Sequence, residues 1–284
     1  MNYRHIFHAG NICDLVKHVV LTLAITHLRA KDKALCILDT HAGTGLYDLK
    51  DERALKTGEA QQGIYRLLSA APMPELAEYF RILNELNPDW QPGSPDNFRF
   101  YPGSPMIERR MLRPQDRLIL SELHEEEAKE LRRQFRNDGQ VHIHHRDGYE
   151  ALSAFLPPSE KRGLALIDPP FENTNEFLKL ADAAIGIHAR WREGMVMIWY
   201  PIKERPAIWR FHEALIKTGI PEMLCAEFIY EEEIRADRLN GCGLIIINPP
   251  WKLDEKLQQL FPALHRVLGS AYQDVTVKWL KDDK

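Results

Sequence analysis

The chain has 284 residues, 44% hydrophobic and 27% charged, an ordinary balance for a globular protein and enough for one large α/β domain spanning 1–284. No apolar run reaches the ~18 residues of a bilayer-spanning helix, and Met1-Asn2-Tyr3-Arg4-His5 is no secretory signal, so a cytoplasmic protein without membrane contact is expected. The four cysteines (Cys13, Cys36, Cys225, Cys242) show no CxxC spacing, which favours reduced thiols over disulfides or zinc, and the net charge of −4 does not advertise nucleic-acid binding.

In chain order, Ile12, Leu15, Val16, Val19, Val20 and Leu23 recur at helical spacing, predicting a helix over 11–29. A short buried strand over 35–38 runs into Asp39-Thr40-His41-Ala42-Gly43-Thr44-Gly45. Residues 51–98 break the α/β rhythm with helical stretches near 57–69 and 74–86; they read as an inserted helical subdomain or as two ordinary connecting helices. Pro102-Gly103-Ser104-Pro105 marks a helix start, with Ser104 as N-cap and Pro105 first in the helix. Strands over 117–122, 141–146 and 164–167 then alternate with helices, followed by a helix near 174–190, a strand over 195–200, a helix near 204–218 and strands near 222–230 and 243–247. This alternation predicts a doubly wound, mostly parallel, seven-stranded Rossmann-like sheet.

Ligands of such sheets bind at the carboxyl ends of the strands. Four consecutive ends carry a signature: Gly43 and Gly45 let backbone approach a ligand, Glu122 suits two ribose hydroxyls, Asp147-Gly148 suits an adenine amino group, and Asp168-Pro169-Pro170-Phe171 suits an exocyclic amine on a flat base. In that last turn Asp168 accepts from the amine, Pro169 offers a carbonyl with no competing N–H, and Phe171 stacks. Together they describe a pocket for S-adenosyl-L-methionine beside a pocket for a base. Asn248-Pro249-Pro250-Trp251 matches the same motif, but its strand is expected to run antiparallel, which makes it a structural turn. Arg99, Arg109, Arg110, Arg113 and Arg117, with Arg132, Arg133 and Arg136, form either a phosphate-binding face or a solvated one. His142-Ile143-His144-His145 alternates between two strand faces, so no metal site is expected.

Several longer strings carry a resemblance. They are Tyr3-Arg4-His5, Phe7-His8-Ala9-Gly10-Asn11, Lys17-His18, the 38–45 segment, Tyr101-Pro102-Gly103-Ser104-Pro105, Glu122-Leu123-His124, Ile167-Asp168-Pro169-Pro170 and Ile247-Asn248-Pro249-Pro250-Trp251-Lys252-Leu253. Across nearly the whole chain the sequence resembles the J-type (RlmJ-like) family, which methylates the N6 of one adenine in 23S ribosomal RNA. The resemblance implies a class I methyltransferase with cofactor contacts at Lys17, His18, His41, Gly43, Ser104, Glu122, Asp147, Gly148 and Asp168. It also implies Asp168 as the catalytic carboxylate, and Tyr3, His5 and Phe171 on the substrate side. The family has tyrosine where this chain has Phe171; stacking survives that change, but a hydroxyl is lost. The implied partner is 23S ribosomal RNA or a precursor of the large subunit, met by a monomer. Other acceptors keep the fold: DNA adenine, the N2 of RNA guanine, or a protein glutamine amide. A non-catalytic cofactor- and RNA-binding module is the reading from a different class.

Overall fold

The computed structural model describes residues 4–269 and 274–281. After a short 3-10 turn at His5–Phe7, α1 (Ile12–Arg29) begins with Asn11 as its N-cap, whose side chain accepts from the Asp14 amide. Next come β1 (Cys36–Asp39), β2 (Leu46–Asp48), α2 (Glu52–Thr57), α3 (Ile64–Leu68), α4 (Ala77–Leu86), β3 (Phe100–Pro102) and α5 (Ser104–Met111). The regular alternation then takes over: β4 (Arg117–Glu122), α6 (Glu125–Gln134), β5 (Val141–His145), α7 (Gly148–Phe155), β6 (Gly163–Ile167), α8 (Glu176–Arg190), β7 (Met195–Ile202) and α9 (Arg205–Lys217). The chain closes with β8 (Met223–Ile229), β9 (Gly241–Ile247), α10 (Leu253–Leu268) and β10 (Asp274–Lys281).

Among the described residues the main sheet has eight strands in the order β10-β8-β9-β7-β6-β1-β4-β5, one more than the sequence predicts. The extra strand, β10, pairs antiparallel with β8; its half-buried residues give a weaker apolar signal than the buried interior strands. β5, β4, β1, β6 and β7 run parallel, whereas β9 is antiparallel to both β7 and β8. Pleating sends successive residues of the interior strands to opposite faces. Ile37, Leu118, Leu120, Leu164 and Leu166 join one apolar cluster with α1 and α10, while Cys36, Leu38, Ile119, Ala165 and Ile167 join the other with α7, α8 and α9.

The 51–98 segment is helical but owns no separate core. Its buried Ile64, Leu67, Leu68, Tyr79, Ile82 and Leu83 belong to the same cluster as Val19 and Leu21 of α1. A two-stranded ribbon, β2 with β3, closes this insertion beside the glycine turn, pairing Leu46 with Pro102. The strand order changes direction at β1, between β4 and β6, so the ends of these two crossovers leave a crevice there.

Candidate active site

A cavity of about 360 Å³ opens over the carboxyl ends of β1, β4, β5 and β6. Its walls include His41, Gly43, Ser104, Glu122, Asp147, Gly148 and Asp168, brought in by the last residue of a strand, the segment just after it or the start of the following helix. Glu122 is buried and both its oxygens are engaged: Gly43 N donates to Oε2 at 2.8 Å and His124 N to Oε1 at 2.6 Å. A carboxylate has about four acceptor positions, so room remains for ribose hydroxyls. Asp147 caps α7, its Oδ1 accepting from Tyr149 N at 2.9 Å and Glu150 N at 3.2 Å. The absence of side chains at the glycines is structural. A Cβ on Gly43, whose φ is +60°, would lie 2.4 Å from the Tyr47 hydroxyl, and one on Gly148 would lie 2.5 Å from the Thr40 carbonyl.

Ser104 is the first residue of α5 and does not cap it; the N-cap is Gly103. The hydroxyl instead donates to Asp39 Oδ2 at 2.6 Å. Asp39 is fully buried, and burial lifts its carboxyl to about 6 in spite of that bond. Glu127, from α6, also lines the cavity; burial, and then the neighbouring Glu122, push its carboxyl up to about 7.

Lys17 projects from α1 to the same place. Its Nζ donates to Asp168 Oδ2 at 2.5 Å and stands 2.9 Å from Asp14 Oδ1. The second is an ion contact without hydrogen-bond alignment, since Asp14 Oδ1 accepts no hydrogen bond among the described residues. Burial disfavours the Lys17 ammonium, but Asp14 and Asp168 outweigh it and hold the group well above the usual lysine range. His5 completes the cluster, with Nε2 3.1 Å from Asp14 Oδ2.

A second cavity, of about 480 Å³, lies on the other side of Asp168. His5, Lys17, Asp168 and Pro170 line both cavities, so the carboxylate stands in a shared wall. Pro169, Phe171, Trp199, Tyr230 and Leu239 give the second cavity apolar and aromatic surfaces, and Asn11, Glu59 and Lys203 give it polar ones. Phe171 has φ of +51°, a left-handed conformation that costs a bulky residue ~1–3 kcal/mol, and its ring meets Trp199 edge-on at 6.0 Å.

The structure thus gathers the expected Lys17, His41, Gly43, Ser104, Glu122, Asp147, Gly148 and Asp168 around one cavity, and His5, Pro169 and Phe171 around its neighbour. His18 is the exception. It is wholly buried and lines neither cavity; its Nδ1 bonds the Tyr101 hydroxyl at 2.9 Å and its Nε2 lies 3.4 Å from Asp14. Burial drops its imidazole to about 3, so it is neutral. Tyr3 lies outside the described residues. Sequence reading missed Asp14 and Glu127, although Asp14 sits three residues before Lys17, on the same helical face.

Asn248 follows β9, which runs antiparallel to β7, and so lies at the opposite end of the strands from Asp168. Its Nδ2 donates to the Arg192 and Gly194 carbonyls, each at 2.8 Å, beside the start of β7. The arginine face is largely neutralised: Arg99, Arg109, Arg110, Arg113, Arg117 and Arg133 each pair with an acid. Among the described residues, His212, Cys225 and Glu227 bring potential metal ligands within 4.8 Å, but the Tyr200 hydroxyl already bonds His212 and Glu227 at 3.0 Å, and Arg205 holds Glu227.

A family model described as "Ribosomal RNA large subunit methyltransferase D, RlmJ" matches residues 32–281. The chain is 38% identical over 282 residues to the ribosomal RNA large subunit methyltransferase J of Escherichia coli and 36% identical to that of Haemophilus influenzae, covering 99% of each chain in both cases. A crystal structure of a Legionella pneumophila protein is similar with a TM-score of 0.86 at 30% identity, over 96% of this chain and 98% of that one.

Proposed function

The chain belongs to the RlmJ family of ribosomal RNA large subunit methyltransferases, and from that premise we propose that it methylates the exocyclic N6 amine of an adenine in 23S ribosomal RNA, using S-adenosylmethionine. The observation that carries this reading is the position of Asp168 in the wall common to two cavities. One cavity has the acids and glycine cradle suited to a nucleoside cofactor; the other has the aromatic lining suited to a base. The fit to the cofactor rests on Glu122 and Asp147, which keep acceptor capacity, and on Gly43 and Gly148, whose backbone lines the same cavity.

When bound, S-adenosylmethionine supplies an electrophilic methyl group on a sulfonium, a leaving group that needs no activation. The work left to the protein is positioning. An adenine amine is a poor nucleophile because its lone pair is delocalised into the ring. Asp168, with Oδ2 held by Lys17, presents Oδ1 as an acceptor for the amine N–H, and the Pro169 carbonyl is a second acceptor. Both bonds favour a pyramidal nitrogen. Phe171 stacks on the base, which must be unpaired or flipped from its helix to enter. His41, Ser104 and Lys17 complete the cofactor side, and His5 and Tyr3 the substrate side. In this reading the chain acts as a monomer in the cytoplasm, on 23S ribosomal RNA or a precursor of the large subunit.

The test is transfer of label from methyl-labelled cofactor to RNA of cells lacking the enzyme, followed by mapping of the labelled nucleotide. N6-methyladenosine in 23S RNA is expected. Label at guanine N2, or in DNA only, would overturn the acceptor assignment, and no label in any nucleic acid would favour the non-catalytic module.

A further inference from the structure

Asp14 is more than a helix residue near the site. It is buried to 4% exposure in the first turn of α1, where an unpaired carboxylate would be costly. Four groups converge on it. Gly10 N donates to Oδ2 at 3.0 Å, His5 Nε2 lies 3.1 Å from the same oxygen, Lys17 Nζ lies 2.9 Å from Oδ1, and His18 Nε2 lies 3.4 Å from Oδ1. Behind His18 a buried hydroxyl chain runs to Tyr101 and on to Tyr79 in the insertion. Ahead of Lys17 stands Asp168. One carboxylate therefore ties the insertion, the N-terminal segment and the catalytic turn into a single polar network.

We infer that Asp14 is a positioning residue for methyl transfer: it fixes the Lys17 ammonium and the His5 imidazole, and through Lys17 it sets the orientation of the Asp168 carboxylate. The physical argument is one of shared charge. Lys17 is 3% exposed and sits between two carboxylates. It makes its aligned hydrogen bond to Asp168 and only an ion contact to Asp14. Asp14 thus anchors one side of the ammonium at 2.9 Å while another of its three N–H donors serves the catalytic oxygen. Lose that charge, and one carboxylate alone must hold a desolvated ammonium. Other ionisable groups sense Lys17 as well: His18 on its own helix, Asp39 after β1 and Glu108 on α5. Glu108 is buried without a hydrogen-bond partner among the described residues, and burial raises its carboxyl well above the usual range, so a neutral acid offers Lys17 no substitute for Asp14.

The inference rests on the proposed methyl transfer, and the test separates the two. The parent chain, Asp14→Asn and Asp14→Glu are assayed in single turnover on a large-subunit ribosomal RNA transcript, across pH 6–10, with calorimetric titration of S-adenosylmethionine and thermal melting on the same samples. A parent that methylates nothing would sink the proposed function before any variant is compared. Given an active parent, Asp14→Asn is expected to lose about 100-fold in rate, the scale of a misplaced reacting group, well beyond any loss in cofactor affinity passed on through Lys17. The loss should deepen at alkaline pH as Lys17 deprotonates more easily. Asp14→Glu should recover part of the rate and the flat alkaline limb. Lys17→Gln combined with Asp14→Asn should be no slower than Lys17→Gln alone, because the two act as one unit. Parent rates in either Asp14 variant would overturn the inference. So would cofactor affinity falling in step with melting temperature, or failure of both variants to fold, since a purely structural carboxylate behaves that way.

Discussion

Lys17 and Asp168 are separated by 151 positions in the chain, yet their Nζ and Oδ2 atoms lie 2.5 Å apart in the wall between two cavities. One comes from the first helix and the other from the turn after β6, and α1 and that strand are held together by the main apolar cluster. The ion pair therefore reports on the fold as much as on the chemistry.

Asp168→Ala should abolish methylation while the fold persists. Lys17 would still have Asp14, so no buried cation is orphaned by this change. Single-turnover rates and a melting curve check it. A variant that methylates RNA at even a tenth of the parent rate would show that the carboxylate is not the essential acceptor.

Glu122→Ala should weaken cofactor binding by roughly 1.5–3 kcal/mol, the range for charge-assisted hydrogen bonds. The loss has two parts. Acceptors for the ribose disappear, and the Gly43 and His124 amides lose their anchor. Calorimetry giving unchanged affinity rejects the assignment of the ribose to this residue.

The second proline turn should separate stability from turnover. Asn248→Ala removes two side-chain bonds and places alanine at a φ of +52°, so a loss of ~1–3 kcal/mol in stability is expected. Methylation per folded molecule should match the parent. A well-folded Asn248 variant with normal cofactor affinity and no activity would transfer the catalytic role to that turn.

Glu127 makes stability depend on pH with a definite sign. Its carboxyl titrates near 7 in the folded chain against a usual value of 4.5, so between these limits the folded state binds the extra proton. Stability contributed by the protonated form is complete below 4.5 and is lost as pH rises through about 7. Glu127→Gln should leave the melting temperature unchanged near pH 4 and raise it relative to the parent by pH 8. The slope that remains in the variant sums other shifted groups, Asp39 and Glu108 in the same sense and His18, His41 and His212, which desolvation holds below the usual imidazole range, in the opposite one. Parallel melting curves for parent and variant across this range would show that Glu127 is ionised at its ordinary value.

The alternation of strands and helices, the four polar strand ends and their order along the chain were all legible in the sequence, because each depends on residues within a few positions of one another. Local periodicity suffices to mark β4 at its observed bounds and α1 to within one residue. The polarity of the last interior strand was also within reach, since the fold class carries it. Other features needed the assembled chain. β10 joins the sheet only because β8 offers an open edge, and the helices of 51–98 find their core on α1, not among themselves. Ser104 reads as a cap, yet it is the first residue inside a buried helix start and donates to Asp39, 65 residues earlier, whose fully buried carboxylate would be costly without a donor. Most of all, Asp14 shows no motif. Its weight comes from burial and from His5, Lys17 and His18 closing around it, and burial is a property of the packed chain, not of the string of residues.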